Sequence, residues 1–170
     1  VQNKQARPFR VFTPFWKQLL VQGLPQRPVA MPSLPSRLVS AQMLAGLAGL
    51  EVDALDLLPE IPWDAGLAKA WQPTRVGAEA RLEEFIETDL KRYARGRDLP
   101  ATEQVSRLSP YLHFGQLGPR EAVAACRGRG QDAQAFLREL GWREFAYHQI
   151  YHFPHTTDAP MDGRFTDFPD

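Results

Sequence analysis

In RELGWREFAYH, residues 138–148, a carboxylate, an indole and a guanidinium recur at helical spacing. Wound as a helix, Glu139, Trp142, Arg143 and Ala146 fall at i, i+3, i+4 and i+7 and share one face. Phe136, Leu140 and Tyr147 lie on the adjoining face. Such a surface can recognise a flat, partly polar ligand. The indole offers a stacking platform, Glu139 donates or accepts a hydrogen bond according to its protonation, and Arg143 adds a charged edge. The same residues would also serve as a plain helix edge, with an i,i+4 Glu139–Arg143 pair beside a core tryptophan. The residues alone leave both readings open.

A second constellation lies in QVSRLSPYLHFGQLGPR, residues 104–120. Ser109 before Pro110 reads as an N-cap followed by the first helical residue, and Gly118 before Pro119 as a weaker version of the same start. Ser106 and Ser109 supply hydroxyls, Arg107 a cation, and the helix opening its free N–H groups. Together they suit a phosphate or pyrophosphate. Capping alone also explains the serines, since most helix starts bind nothing. His148 and His152 stand four apart, but no third ligand follows at zinc spacing, so no metal is expected. Tyr93 and Arg97, one turn apart in KRYARGRD, read by themselves as an ordinary basic helix end. Cys126 lies in an Ala-rich run and reads as a small buried apolar residue.

The elements that must position these groups are helical. In residues 77–98, Leu82, Phe85, Ile86, Leu90 and Tyr93 recur three and four apart, making one apolar stripe that Gly96 would end. Further helices are expected from Pro110, from Pro119, and from a cap at Asp132 to about Phe153. No segment alternates as a strand. Residues 1–76 read as an irregular, Pro-rich arm, because GLPQRPVAMPSLPSR (23–37) places proline every three or four residues. Short helical pieces are expected at Phe15–Gln22 and within 40–58.

The bulk numbers exclude little. Lys and Arg total 20 and Asp and Glu total 20, so net charge makes no general case for nucleic acid or membrane. Residues 1–50 nevertheless carry six bases and no acid, and residues 51–64 five acids and no base. A single cysteine fits a reducing compartment, and no signal-type or membrane-spanning apolar run is visible, so a cytoplasmic location is expected. A first residue that is Val rather than Met suggests an excised piece.

RVFTPFWK (10–17), YARGRDLP (93–100), SRLSPYLHFGQLGPR (106–120) and FLRELGWREFAYHQIYHFP (136–154), in this order, resemble the DNA photolyase/cryptochrome family, and within it the class I cyclobutane pyrimidine dimer photolyases. The resemblance implies a mostly α fold. Residues 1–76 would be the end of an antenna domain and the interdomain linker, and 77–170 the first part of the helical FAD-binding domain. It implies that Tyr93, Val105, Ser106, Arg107, Leu108, Ser109, Phe136 and Arg143 contact FAD. Glu139 and Trp142 would be catalytic, by hydrogen bonding to and stacking on the damaged pyrimidine pair. Arg97, Glu139, Trp142 and Arg143 would meet UV-damaged DNA. The implied reaction is light-driven: excited, fully reduced FAD lends an electron to the dimer, the cyclobutane ring splits, and the electron returns. A folate or deazaflavin antenna pigment belongs to the family as well. Three departures stand out. Val105 replaces the usual threonine, Gly118 a usual serine, and Asp170 the outermost tryptophan of the flavin-reducing chain. The shortness of the chain implies that the remainder of the photolyase is missing, and with it firm flavin retention and activity. Two rivals remain: a cryptochrome-like photoreceptor, which Glu139 and Trp142 disfavour, and a helical interaction module without flavin.

Overall fold

The structure, a computed structural model, describes residues 1–3, 5–24, 28, 32, 33, 49 and 52–166. It is helical, with no strand among the described residues. Most of the Pro-rich stretch, most of 40–51 and Asp170 lie outside the described residues; of the helical pieces anticipated within 40–58, the described part is a 3₁₀ turn at Val52–Leu55.

Helix α1 runs Phe12–Gln22, three residues earlier than expected. Pro14 does not delay it, because the first-turn N–H groups have no helical acceptor to lose. A short helix α2, Ala65–Ala70, was not anticipated in the arm. Thr74 then opens the long central run. Its backbone is extended and its hydroxyl accepts from the Gly77 N–H at 3.0 Å. The run comprises α3, Arg75–Glu84, a π-helical turn at Phe85–Asp89, and α4, Leu90–Gly96. The π turn brings one further pair onto the stripe. Phe85 and Leu90, five residues apart, are both fully buried, which an i→i+5 turn permits and regular α winding does not.

Helix α5, Ser109–His113, starts one residue before the expected place. Leu108 occupies the cap position and no side chain caps the helix, so the assignment of Ser109 as N-cap is corrected. Helix α6, Pro119–Ala125, begins as expected after Gly118, whose N–H donates to Glu121 Oε2 at 2.7 Å. The expected cap at Asp132 is also corrected: Gly130–Ala133 forms a 3₁₀ turn, and α7 follows as Gln134–His152 with no side-chain cap.

Two clusters hold these pieces. The main core joins Phe85, Leu90 and Tyr93 to Leu108, Tyr111, Leu117, Cys126, Phe136 and Leu140. Cys126 is buried as expected, and burial pushes its thiol up to about 11. The second cluster is aromatic: Phe12 and Phe15 of α1 meet Phe145 of α7, flanked by Phe9 and Trp16. Gly141 makes this approach possible, since a Cβ there would lie 2.6 Å from the Trp16 ring. The N-terminal segment is therefore packed onto the last helix rather than trailing free. Tyr147, Ile150 and Tyr151 of α7, and Phe114 after His113, are exposed.

Candidate flavin and nucleic-acid site

The expected site residues fall into three groups. In the first, Arg97 closes the end of α4 and pairs with Glu139 of α7. Its guanidinium also sits over the Tyr93 ring, 5.7 Å from the centroid, and the carboxylate strengthens its hold on its proton. Glu139 thus pairs with Arg97, while Arg143 pairs with its neighbour Glu144. Tyr93 and Phe136 stand edge to face at 5.6 Å, each against Phe85. Both are buried, and burial raises the Tyr93 phenol above its ordinary value.

In the second group, Trp142 stacks on Phe12 with ring centroids 3.7 Å apart and planes 11° apart. One face of the anticipated platform is therefore covered by α1, and the indole is 43% exposed. Sequence reasoning missed Phe12; its only signal was the density of aromatics in PFRVFTPFW.

The third group is the turn at 105–109. Arg107 is exposed and adopts φ 53°, a left-handed conformation uncommon for a residue with a side chain. Its guanidinium bonds to Glu103 at 2.8 Å. The Ser106 hydroxyl accepts from the Leu108 N–H at 3.4 Å. The Leu108 side chain is fully buried, so what it can offer a ligand is backbone. Val105 is half-buried. Ser109 and Arg143 line one cavity of about 670 Å³ with Leu112, His113, Tyr147 and Ile150. Arg143 is steered there by bonds to Leu112 O at 3.4 Å and the Tyr147 hydroxyl at 3.2 Å.

A further residue holds the turn and was absent from the expected set. Arg81 of α3 donates from Nε to Ser106 O at 2.9 Å and from Nη2 to Val105 O at 3.0 Å. Only its place beside the apolar Leu82 hinted at an inward-facing cation. A larger cavity, about 1,410 Å³, opens between α1, α6 and α7 and is lined by Phe15, Trp16, Leu137, Leu140 and Tyr151. Glu139 and Trp142 line neither cavity. Among the described residues, no group of three His, Cys, Asp or Glu is placed to hold a metal, and no helix is long and apolar enough to cross a membrane.

No family model matches the chain. It is 33% identical over 177 residues to a deoxyribodipyrimidine photo-lyase of Agrobacterium fabrum, covering 99% of this chain and 35% of that protein. It is 28% identical over 178 residues to cryptochrome-2 of Arabidopsis thaliana, covering 98% and 29%. Among solved structures it matches a bacterial class III photolyase from Agrobacterium tumefaciens with a TM-score of 0.85 and 32% identity, over 99% of this chain and 35% of that one. The chain thus spans about a third of the length of these relatives.

Proposed function

The chain belongs to the DNA photolyase and cryptochrome family, and from that premise we propose that it is part of a light-dependent enzyme that repairs cyclobutane pyrimidine dimers in DNA. In this reading residues 1–76 are linker and the end of an antenna domain, and 77–170 open the FAD-binding domain. The solved neighbour is a class III photolyase; the class I assignment of this chain rests on the sequence resemblance.

The residues present fit a flavin dinucleotide. The turn at 105–109 has its Val105 and Ser106 carbonyls tied down by Arg81 and its Leu108 N–H on the Ser106 oxygen, so the hydroxyl protons of its two serines can still be donated. Val105 lacks the hydroxyl of threonine, so at that position only backbone can serve the phosphates. Ser109 and Arg143 bring a donor and a cation to one cavity, suited to an anionic ligand. Bound reduced flavin would supply the electron that splits the dimer. The chain's own work is to bind, orient and exclude water. Glu139 would hydrogen-bond the pyrimidine pair where negative charge develops. Trp142 would stack on it and replace the base stacking lost on extrusion. Arg97 would hold the DNA backbone.

What supports this reading is the pairing of Arg97 with Glu139, two residues to which the family resemblance gives neighbouring roles at the DNA backbone and the lesion. A cytoplasmic setting agrees with the lone, unpaired Cys126. The test is repair of a thymine-dimer oligonucleotide under blue light by the protein at family length, with flavin reduced beforehand. Repair that falls at least tenfold in Glu139→Ala is expected. Flavin binding without repair would favour the photoreceptor, and no flavin binding the interaction module. Alone, the 170-residue chain should retain flavin weakly; one flavin per purified chain would contradict that.

A further inference from the structure

Beyond the residues that would touch the flavin, we propose that Arg81 is a positioning residue for the 105–109 turn and sets its affinity for the phosphate-bearing end of the dinucleotide. The inference rests on the functional reading above for the ligand, and on geometry for the residue.

The guanidinium is a planar fork, and here it spans two consecutive carbonyls, Val105 O at 3.0 Å and Ser106 O at 2.9 Å. Its charge is balanced from its own helical run, by Glu84 at 2.7 Å and Asp89 at 3.5 Å. The side chain is 18% exposed, so water competes weakly for these bonds. Two carbonyls fixed on one side turn the following peptide units the other way. That is where Arg107 takes its positive φ and where Leu108 seals the turn into the core. A turn held in this way does not have to be ordered by its ligand, and the entropy of ordering it is not charged to binding.

The π turn is part of the device. Residues eight apart in a regular α-helix lie roughly 80° apart around the axis. The extra residue held in a π turn removes most of that offset. Asp89 is thereby brought onto the face of Arg81, eight residues earlier, and steadies the fork from behind. A helix without the turn would carry that carboxylate round to another side.

Arg81→Lys keeps the charge and loses the fork, and the measurement is Kd for FAD and for riboflavin, side by side, by fluorescence titration. Riboflavin shares the ring and lacks the phosphates. The expected result is at least a tenfold weaker Kd for FAD, no change for riboflavin, unchanged helix content, and faster amide exchange at Leu108 and Leu112. Asp89→Asn, which never touches the turn, should give the same split at about threefold. Equal weakening of both ligands would mean a merely structural role and overturn the proposal, as would an unchanged FAD Kd. Wild-type protein at family length that binds riboflavin as well as FAD, or binds neither at millimolar concentration, overturns the functional reading instead. Arg81 is then judged by exchange alone, and unchanged protection at Leu108 and Leu112 in Arg81→Lys sinks it.

Discussion

The two ends of helix α7 are held by different physics. Its first half, around Phe136 and Leu140, sits in a core built with α3, α4 and the 105–109 turn, where apolar burial is backed by Arg81 and by the Arg97–Glu139 pair. Its second half carries α1, a segment some 130 residues away in sequence. There the contact is almost wholly aromatic, and its polar fastening is small: the Phe9 N–H donates to His148 Nε2 at 3.1 Å, and Gln149 Nε2 donates to Phe9 O at 3.0 Å. The first region should behave as the stable unit. The second should detach earlier, because few polar bonds secure it and its closure joins distant parts of the chain.

The strongest way to test this contrast is to empty the first region. Phe85→Ala removes a fully buried ring that touches both Tyr93 and Phe136. A loss of roughly 3–5 kcal/mol is expected, seen as collapse of the whole thermal transition. If α1 alone detached, the assignment of the stable unit would be reversed. Next in size is Gly141→Ala. Its Cβ would lie 2.6 Å from the Trp16 ring, so about 1–3 kcal/mol is expected. The loss should fall on α1 docking, read as exposure of Trp16 and Trp142 fluorescence while the main core still melts cooperatively.

Acid should loosen the second region selectively. Burial, followed by the neighbouring His152, holds the His148 imidazole below its ordinary value of 6.5. The unfolded or undocked state therefore binds more protons, and stability rises with pH across that window. The contribution is complete above pH 6.5 and fades as pH falls from there through the depressed folded value. Protection of the Phe9 amide, relative to its intrinsic exchange rate at each pH, should fall on acidification in the wild type and stay constant with pH in His148→Gln. The smallest effect belongs to Arg75, which bridges Glu79 and Glu121 at the surface. Arg75→Ala should cost about 0.2–1 kcal/mol and less in high salt. A larger loss would show that the α3–α6 contact carries more of the first region than its exposure suggests.

The same contrast decided what could be read from the sequence. The 3–4 spacing of Leu82, Ile86, Leu90 and Tyr93 was legible because local periodicity creates it. Gly118–Pro119 was legible because the start of α6 is chemically local. Ser109 was misread as a cap: it is the first residue of α5 and Leu108 holds the cap position, while the carbonyls just before it are ordered by Arg81, 24 and 25 residues earlier, a partner no local pattern reveals. Glu139 was identified as a site residue, yet its partner proved to be Arg97 rather than the nearby Arg143. The stacking of Phe12 on Trp142 was invisible for the same reason: neither ring carries a mark of the other.

The widened turn at Phe85–Asp89 also makes this helix unusual in what it can lose. One residue removed almost anywhere else would rotate all that follows by roughly 100° and swing Tyr93 out to water. Removed at Thr88, it would let the winding heal while Tyr93 and Arg97 kept their bearings. The segment thus holds a spare codon, and tolerance of shortening should be concentrated within these five positions.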